Sequence, residues 1–127
     1  MSKNRLLVGE LRGWVIHGEC IGATLGYPTA NLSRHYFRHH PVPKGVYAAM
    51  TKLGTKKLFS AVVVGVDGKL EVHIINWSGN LYGKYLTVEL IKKIRALDVY
   101  KNDSLLKKQI ARDLVVVKKI LRTCDSK

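Results

Sequence analysis

The stretch Ala61-Val62-Val63-Val64-Gly65-Val66-Asp67-Gly68-Lys69-Leu70-Glu71-Val72-His73-Ile74 decides the fold class of this chain. Its first half is a β-branched run, which reads as the buried centre of a strand from Lys57 to Val66. Asp67-Gly68 is a two-residue hairpin signal, because a type I′ turn needs positive φ at both central positions. From Lys69 to Trp77 the chain runs back. Leu70, Val72 and Ile74 fall on one face; Glu71, His73 and Ile75 fall on the other. One face is apolar and belongs to a core, and the other sets a carboxylate beside an imidazole.

The same pattern extends outward. Upstream, Lys44-Gly45 opens a strand from Val46 to Leu53, and Gly54-Thr55-Lys56 turns the chain. Downstream, Ser78-Gly79-Asn80 turns it again, and Leu81 to Arg95 forms a long strand or a bent pair of strands. At the start, Arg5 to His17 reads as a strand bent at Gly13, with Trp14 and Ile16 on one face and Val15 and His17 on the other. Strands joined by tight turns, without intervening helices, give antiparallel β structure and a small closed barrel. The tail changes period. Asn102 caps a helix, Asp103 suits its first turn, and Leu106, Ile110, Leu114, Val117 and Leu121 recur at helical spacing. Lys107, Lys108, Arg112, Lys118, Lys119 and Arg122 make the rest of that helix basic. This is a helix docked on the barrel with a solvated outer face, or else a nucleic-acid-binding helix.

With 127 residues, the chain is expected to be a single domain, 1–127. It is 46% hydrophobic, enough for one core. A net charge of +13 suits an anionic partner such as a nucleotide, nucleic acid or acidic surface, and equally a basic enzyme. Cys20 and Cys124 form no metal-type pair, and the expected setting is reduced and cytoplasmic, although a disulfide between them stays open. The N-terminus has no signal-peptide pattern, and no apolar run approaches the roughly 20 residues of a membrane span.

Candidate chemistry gathers at Gly26-Tyr27-Pro28-Thr29-Ala30-Asn31-Leu32, after a loop containing Gly18, Gly22 and Gly26. Pro28 holds Tyr27 extended. If the chain continues extended, Thr29 and Asn31 point to the same side. Their neutral oxygens suit Mg²⁺ that shares its shell with phosphates, and glycines admit phosphate close to the backbone. Local hydrogen bonds from Thr29 and Asn31 to the backbone are the alternative. Glu71 can serve as a general base toward a hydroxyl, or stand as a surface carboxylate. Loop 33–43 carries Arg34, His35, Arg38, His39 and His40 without a fixed metal-ligand spacing. Asp98 and Asp113 read as helix-end or surface groups. There is no Walker A loop, protein-kinase set, nucleophile elbow or dinucleotide fingerprint.

Taken in order, Gly13-Trp14-Val15-Ile16-His17-Gly18, Leu25 to Leu32, Pro43-Lys44-Gly45-Val46-Tyr47, Leu70 to Ile74, Asn80-Leu81-Tyr82-Gly83-Lys84, Lys93-Ile94-Arg95 and Lys108-Gln109-Ile110 with Asp113 resemble the riboflavin kinase (flavokinase) family. The resemblance runs from about Leu11 to Ile120. It implies a mainly β fold, a six-stranded antiparallel Greek-key barrel with a C-terminal α-helix. It also implies transfer of the ATP γ-phosphoryl group to the ribityl 5′-hydroxyl of riboflavin, giving FMN and ADP. By that resemblance Glu71 is the catalytic base, and Thr29 and Asn31 hold Mg²⁺ and the phosphates. Gly18, Gly22 and Gly26 belong to a flap over the nucleotide, and Leu106 and Ile110 help wall the flavin. The expected state is a monomeric, cytoplasmic, standalone kinase domain, with no preceding adenylyltransferase domain and with nucleic acid not the favoured partner. Two features depart from the family pattern. Ala23 stands where a basic residue is usual, and Asp67-Gly68 alone replaces an Asn-x-Gly and a Pro-Thr-Phe segment that border the ligand site. Together with the charge, they support a second reading, a catalytically impaired barrel that binds flavin, nucleotide or RNA.

Overall fold

Alternating patterns and short continuous apolar runs build six strands: β1 (Gly9–Ile16), β2 (Ala30–Leu32), β3 (Gly45–Leu53), β4 (Lys56–Val64), β5 (Leu70–Ile74) and β6 (Tyr85–Arg95). One helix, α1 (Asp103–Asp125), follows them. The computed structural model describes residues 8–16, 29–33, 42–65, 69–77 and 79–125, with side chains through Thr123. The flap glycines Gly18, Gly22 and Gly26, Ala23, His17, Cys20, most of loop 33–43 and the Asp67-Gly68 turn lie outside the described residues.

The strands close into a barrel in the order β1–β2–β5–β4–β3–β6, and every pairing is antiparallel. Strands β3, β4 and β5 form a meander, and β2 enters between β1 and β5. The barrel is filled from all six strands by residues such as Leu11, Leu32, Tyr47, Val62, Val72 and Leu86. Tyr47 is fully buried, and its hydroxyl donates to the Pro43 carbonyl at 2.5 Å. Burial pushes the Tyr47 phenol above its ordinary pKa.

Strand β3 is buried on both faces from Gly45 to Thr51. Tyr47 and Ala49 face the interior, while Ala48 and Met50 face a second core under α1. Val117 and Leu121 close that outer seam together with Ile75 and Ile91. Burying each of these two helix side chains is worth about 1.5–3 kcal/mol relative to exposure. The helix begins where the sequence places its cap: Asn102 Oδ1 accepts the Leu105 N–H at 2.9 Å, with Asp103 in the first turn.

Four details differ from the sequence reading. A two-residue Asp67-Gly68 turn would set Val64 opposite Glu71. Instead Val64 pairs with Leu70 and Val63 with Glu71, and the Gly65 N–H donates to the Lys69 carbonyl at 2.8 Å. The described pairing thus ends at Gly65 and Lys69, with three residues between them in sequence rather than two. The cause is facial: directly opposed residues share a side of the sheet, so this register puts Val64 and Leu70 together inside.

Gly13 does not interrupt β1, whose pairing with β6 runs on through it. It lies within β1, where a Cβ would come 2.9 Å from Ser33 Oγ, so glycine there allows β1 to approach residue 33. The last strand starts at Tyr85 rather than Leu81 and carries register shifts opposite Val46/Tyr47 and Ala48/Ala49. Those shifts leave Ile91 and Ile94 as extra residues and bring Arg95 opposite Val46. Finally, Asp113 is no surface group, being 6% exposed.

Candidate active site

One row of directly opposed residues crosses all six strands: Ile16, Asn31, Glu71, Val63, Val46 and Arg95. Neighbouring strands lie about 4.8 Å apart, so Asn31 and Glu71 are immediate neighbours, whereas Arg95 is roughly 15 Å from Glu71 along the wall. The alternate residues Ala30 and Val72, next along β2 and β5, face the barrel interior, which leaves Asn31 and Glu71 on the outer face. The row thus changes character along its length. It is polar at β2 and β5, aliphatic at β4 and β3, and cationic at the end of β6.

Over this row α1 and the 96–102 connection enclose a cavity of about 490 Å³. Its floor includes Val46, Ala61 and Val63, and its roof includes Leu106 and Ile110. Thr29, Glu71 and His73 line it on the β2 and β5 side. The register that pairs Ala30 with Val72 brings Thr29 toward His73. The chemistry available is therefore an aliphatic slot ending in a hydroxyl, a carboxylate and an imidazole.

At the opposite end Arg95 forms a fork on Asp113. Its Nε donates to Asp113 Oδ1 at 2.9 Å, and its Nη2 donates to Oδ2 at 2.8 Å. Gln109 Nε2 donates to the same Oδ1 at 2.9 Å. Arg95 Nη1 donates to the Ala96 carbonyl at 3.1 Å, and the Tyr100 ring centroid lies 5.8 Å from the guanidinium carbon. The hydrogen bonds to Asp113 raise the Arg95 pKa above its already high ordinary value, against the lowering effect of burial.

Four residues singled out in the sequence, Thr29, Glu71, Leu106 and Ile110, line this one cavity. Asn31 does not line it; it sits one strand further on, beside Glu71. Among the described residues, no group of three or more His, Cys, Asp or Glu side chains could hold a metal ion. Sequence reasoning missed the aliphatic floor and the Arg95–Asp113 pair. The signal for the pair was present. Asp113 falls within the stripe Leu106–Ile110–Leu114–Val117, and a carboxylate buried there needs a cationic partner. No helix among the described residues is long and apolar enough to cross a membrane.

Comparison with known proteins adds family information. A sequence-family model for flavokinase, described as riboflavin kinase, matches residues 8–121. Three curated relatives are each a bifunctional riboflavin kinase/FMN adenylyltransferase. The one from Buchnera aphidicola is 38% identical, over 91% of this chain and 40% of its own length. That from Haemophilus influenzae is 37% identical, over 84% and 36%. That from Escherichia coli is 39% identical, over 81% and 35%. The chain thus spans about two fifths of the curated relatives it matches. Among solved structures, a Streptococcus pneumoniae chain described as a macrolide-efflux protein aligns with a TM-score of 0.75 and 30% identity, over 86% of this chain and 38% of that one. The riboflavin kinase of Trypanosoma brucei aligns with a TM-score of 0.67 and 19% identity, over 89% and 76%, and shares the fold.

Proposed function

Because this chain belongs to the riboflavin kinase family, transferases that phosphorylate riboflavin to FMN, we propose that it transfers the γ-phosphoryl group of ATP to the ribityl 5′-hydroxyl of riboflavin. The observation that carries this reading is the graded row on the barrel wall. An aliphatic slot at Val46, Ala61 and Val63, under Leu106 and Ile110, suits a flat ring system. The slot leads to Glu71, where a hydroxyl-bearing chain attached to that ring would end.

In this reading the ribityl oxygen attacks the γ-phosphorus, and the bond from that phosphorus to the bridging oxygen breaks, releasing ADP. The hydroxyl proton passes to the Glu71 carboxylate. Glu71 is held on β5 between Asn31 of β2 and Val63 of β4, so its backbone has no freedom to drift from the slot. Phosphoryl transfer asks for positioning and charge neutralisation more than for covalent chemistry.

Thr29 and Asn31 alternate onto the same face, and they offer a hydroxyl and an amide oxygen. These hard, neutral donors fit Mg²⁺ that keeps phosphate oxygens and water as its other ligands. That ion would neutralise phosphate charge. The chain's own residues orient the hydroxyl, accept its proton and enclose the ring.

The test is a chromatographic assay for FMN with riboflavin, ATP and Mg²⁺, and Glu71→Gln as the control. Wild type is expected to make FMN, and Glu71→Gln to lose about 10²–10⁴-fold in turnover while keeping its fold. A Glu71→Gln enzyme with unchanged turnover would remove Glu71 from the role of base. A folded wild type that makes no FMN would turn the reading to a binding barrel or to another substrate.

A further inference from the structure

Three features outside the reacting end compete for a role: the basic outer face of α1, the exposed Trp14–Tyr85 pair on β1 and β6, and the Arg95–Asp113 fork. Nothing on the first two faces selects one partner over another. The fork is different, because it connects the two walls of a cavity. We propose that the Arg95–Asp113 fork is a strut that sets the gap between α1 and the barrel wall, which makes Arg95 a positioning residue for the ring end of the substrate rather than a phosphate contact. This inference rests on the riboflavin kinase reading above.

Most of the Arg95 guanidinium is engaged by the protein itself. Three of its five N–H groups are engaged: Nε and one hydrogen of Nη2 on Asp113, and one hydrogen of Nη1 on the Ala96 carbonyl, with the ring of Tyr100 near the guanidinium. The side-on fork of Nε and Nη2, the geometry that grips a carboxylate or phosphate, is already filled by Asp113, so the guanidinium is held as part of the cavity wall. Its distance along the wall from Glu71 points the same way.

The two partners stand on opposite walls of the cavity. Arg95 is opposite Val46, part of the cavity floor. Asp113 comes three residues after Ile110 on α1, part of the roof. The pair therefore ties floor to roof at a length fixed by two parallel, charge-assisted hydrogen bonds. Gln109 holds the carboxylate from its own helix. Lysine in place of Arg95 keeps the charge but cannot fork, and asparagine in place of Asp113 keeps the shape but loses the charge. Either change releases the strut without removing bulk.

The experiment measures FMN formation and thermal midpoints for wild type, Arg95→Lys, Asp113→Asn and the double variant. The losing interaction is a charged hydrogen-bond pair, so each single variant is expected to raise KM for riboflavin by about tenfold or more. KM for ATP and turnover at saturating riboflavin should stay within about threefold. The double variant should be no worse than the worse single one, since either change already opens the fork.

An Arg95→Lys enzyme that loses ATP affinity or turnover, beside a normal Asp113→Asn enzyme, would overturn the proposal and make Arg95 a phosphate ligand. Unchanged riboflavin KM in folded variants would overturn it as well. So would failure of both single variants to fold, because the pair would then serve the whole fold and not the slot. If wild type neither forms FMN nor quenches riboflavin fluorescence on binding, the function proposed above falls and takes the strut with it. If wild type is active and the variants match it, the strut alone falls.

Discussion

At its C-terminal half α1 lies directly on the barrel wall, where Val117 and Leu121 are buried among Ala48, Met50 and Ile91. At its N-terminal half the same apolar stripe continues as Leu106 and Ile110, yet there it roofs a cavity of about 490 Å³ over Val46, Ala61 and Val63. One helix meets one wall in two ways. The hydrophobic pattern is alike at both ends, so pattern alone specifies that the helix docks and not how closely. Where helix and wall stand apart, the side chains forgo the close contacts with one another that stabilise the seam. What distinguishes the open end is polar: a forked ion pair at Arg95 and Asp113, and a capped first turn at Asn102.

The strongest way to break this comparison is to cut the closed end. Leu121 is 1% exposed, and its truncation leaves a void with few routes to collapse. Leu121→Ala is expected to cost about 2–4 kcal/mol of unfolding free energy. Riboflavin KM should not move in the protein that remains folded. Urea denaturation and steady-state kinetics on the same preparation check both halves. A matched rise in KM would mean that the two ends act as one unit.

Ile110→Ala asks the reverse question. Ile110 already borders a cavity, so its truncation creates no new enclosed void, and the stability loss should stay below about 1 kcal/mol. The lost aliphatic contact is expected to raise riboflavin KM by about 5–20-fold. A stability loss comparable with that of Leu121→Ala would show that the open end is packed as tightly as the closed one.

The barrel was legible in the sequence because strand alternation is a local signal. Leu70, Val72 and Ile74 announce an inward face, and Glu71 an outward one, without knowledge of any partner strand. The hairpin register was legible too, but turn preference pulled the reading away from it. Asp67-Gly68 favours a two-residue turn. A two-residue turn would set inward Val64 directly opposite outward Glu71, whereas the observed register sets it opposite inward Leu70 and so obeys the facial requirement.

The helix showed its cap and its apolar stripe for the same local reason. The roofed slot was harder. It depends on where α1 lands, and the Arg95–Asp113 pair joins residues 18 apart through two register shifts in β6. No local pattern records that meeting. Only the oddity of a carboxylate at Asp113, inside an apolar stripe, hinted that a partner was waiting.

The cap at Asn102 gives the smallest expected effect and the finest division between the two ends of α1. Asn102→Ala removes the acceptor for the Leu105 N–H, at a cost of about 1 kcal/mol or less at this exposed position. The first turn should fray, and Leu106 with it, while the strut at Asp113 lies two turns further along and keeps Ile110 in place. Riboflavin KM is then expected to rise by no more than about threefold. Combined with Asp113→Asn, the two effects on KM should multiply, since the cap and the strut hold different turns of the helix and share no partner. A rise after Asn102→Ala as large as that after Asp113→Asn would place control of the gap in the first turn. A double variant worse than the product would mean that each device bears the load when the other is gone, so that the open end is held by the two jointly.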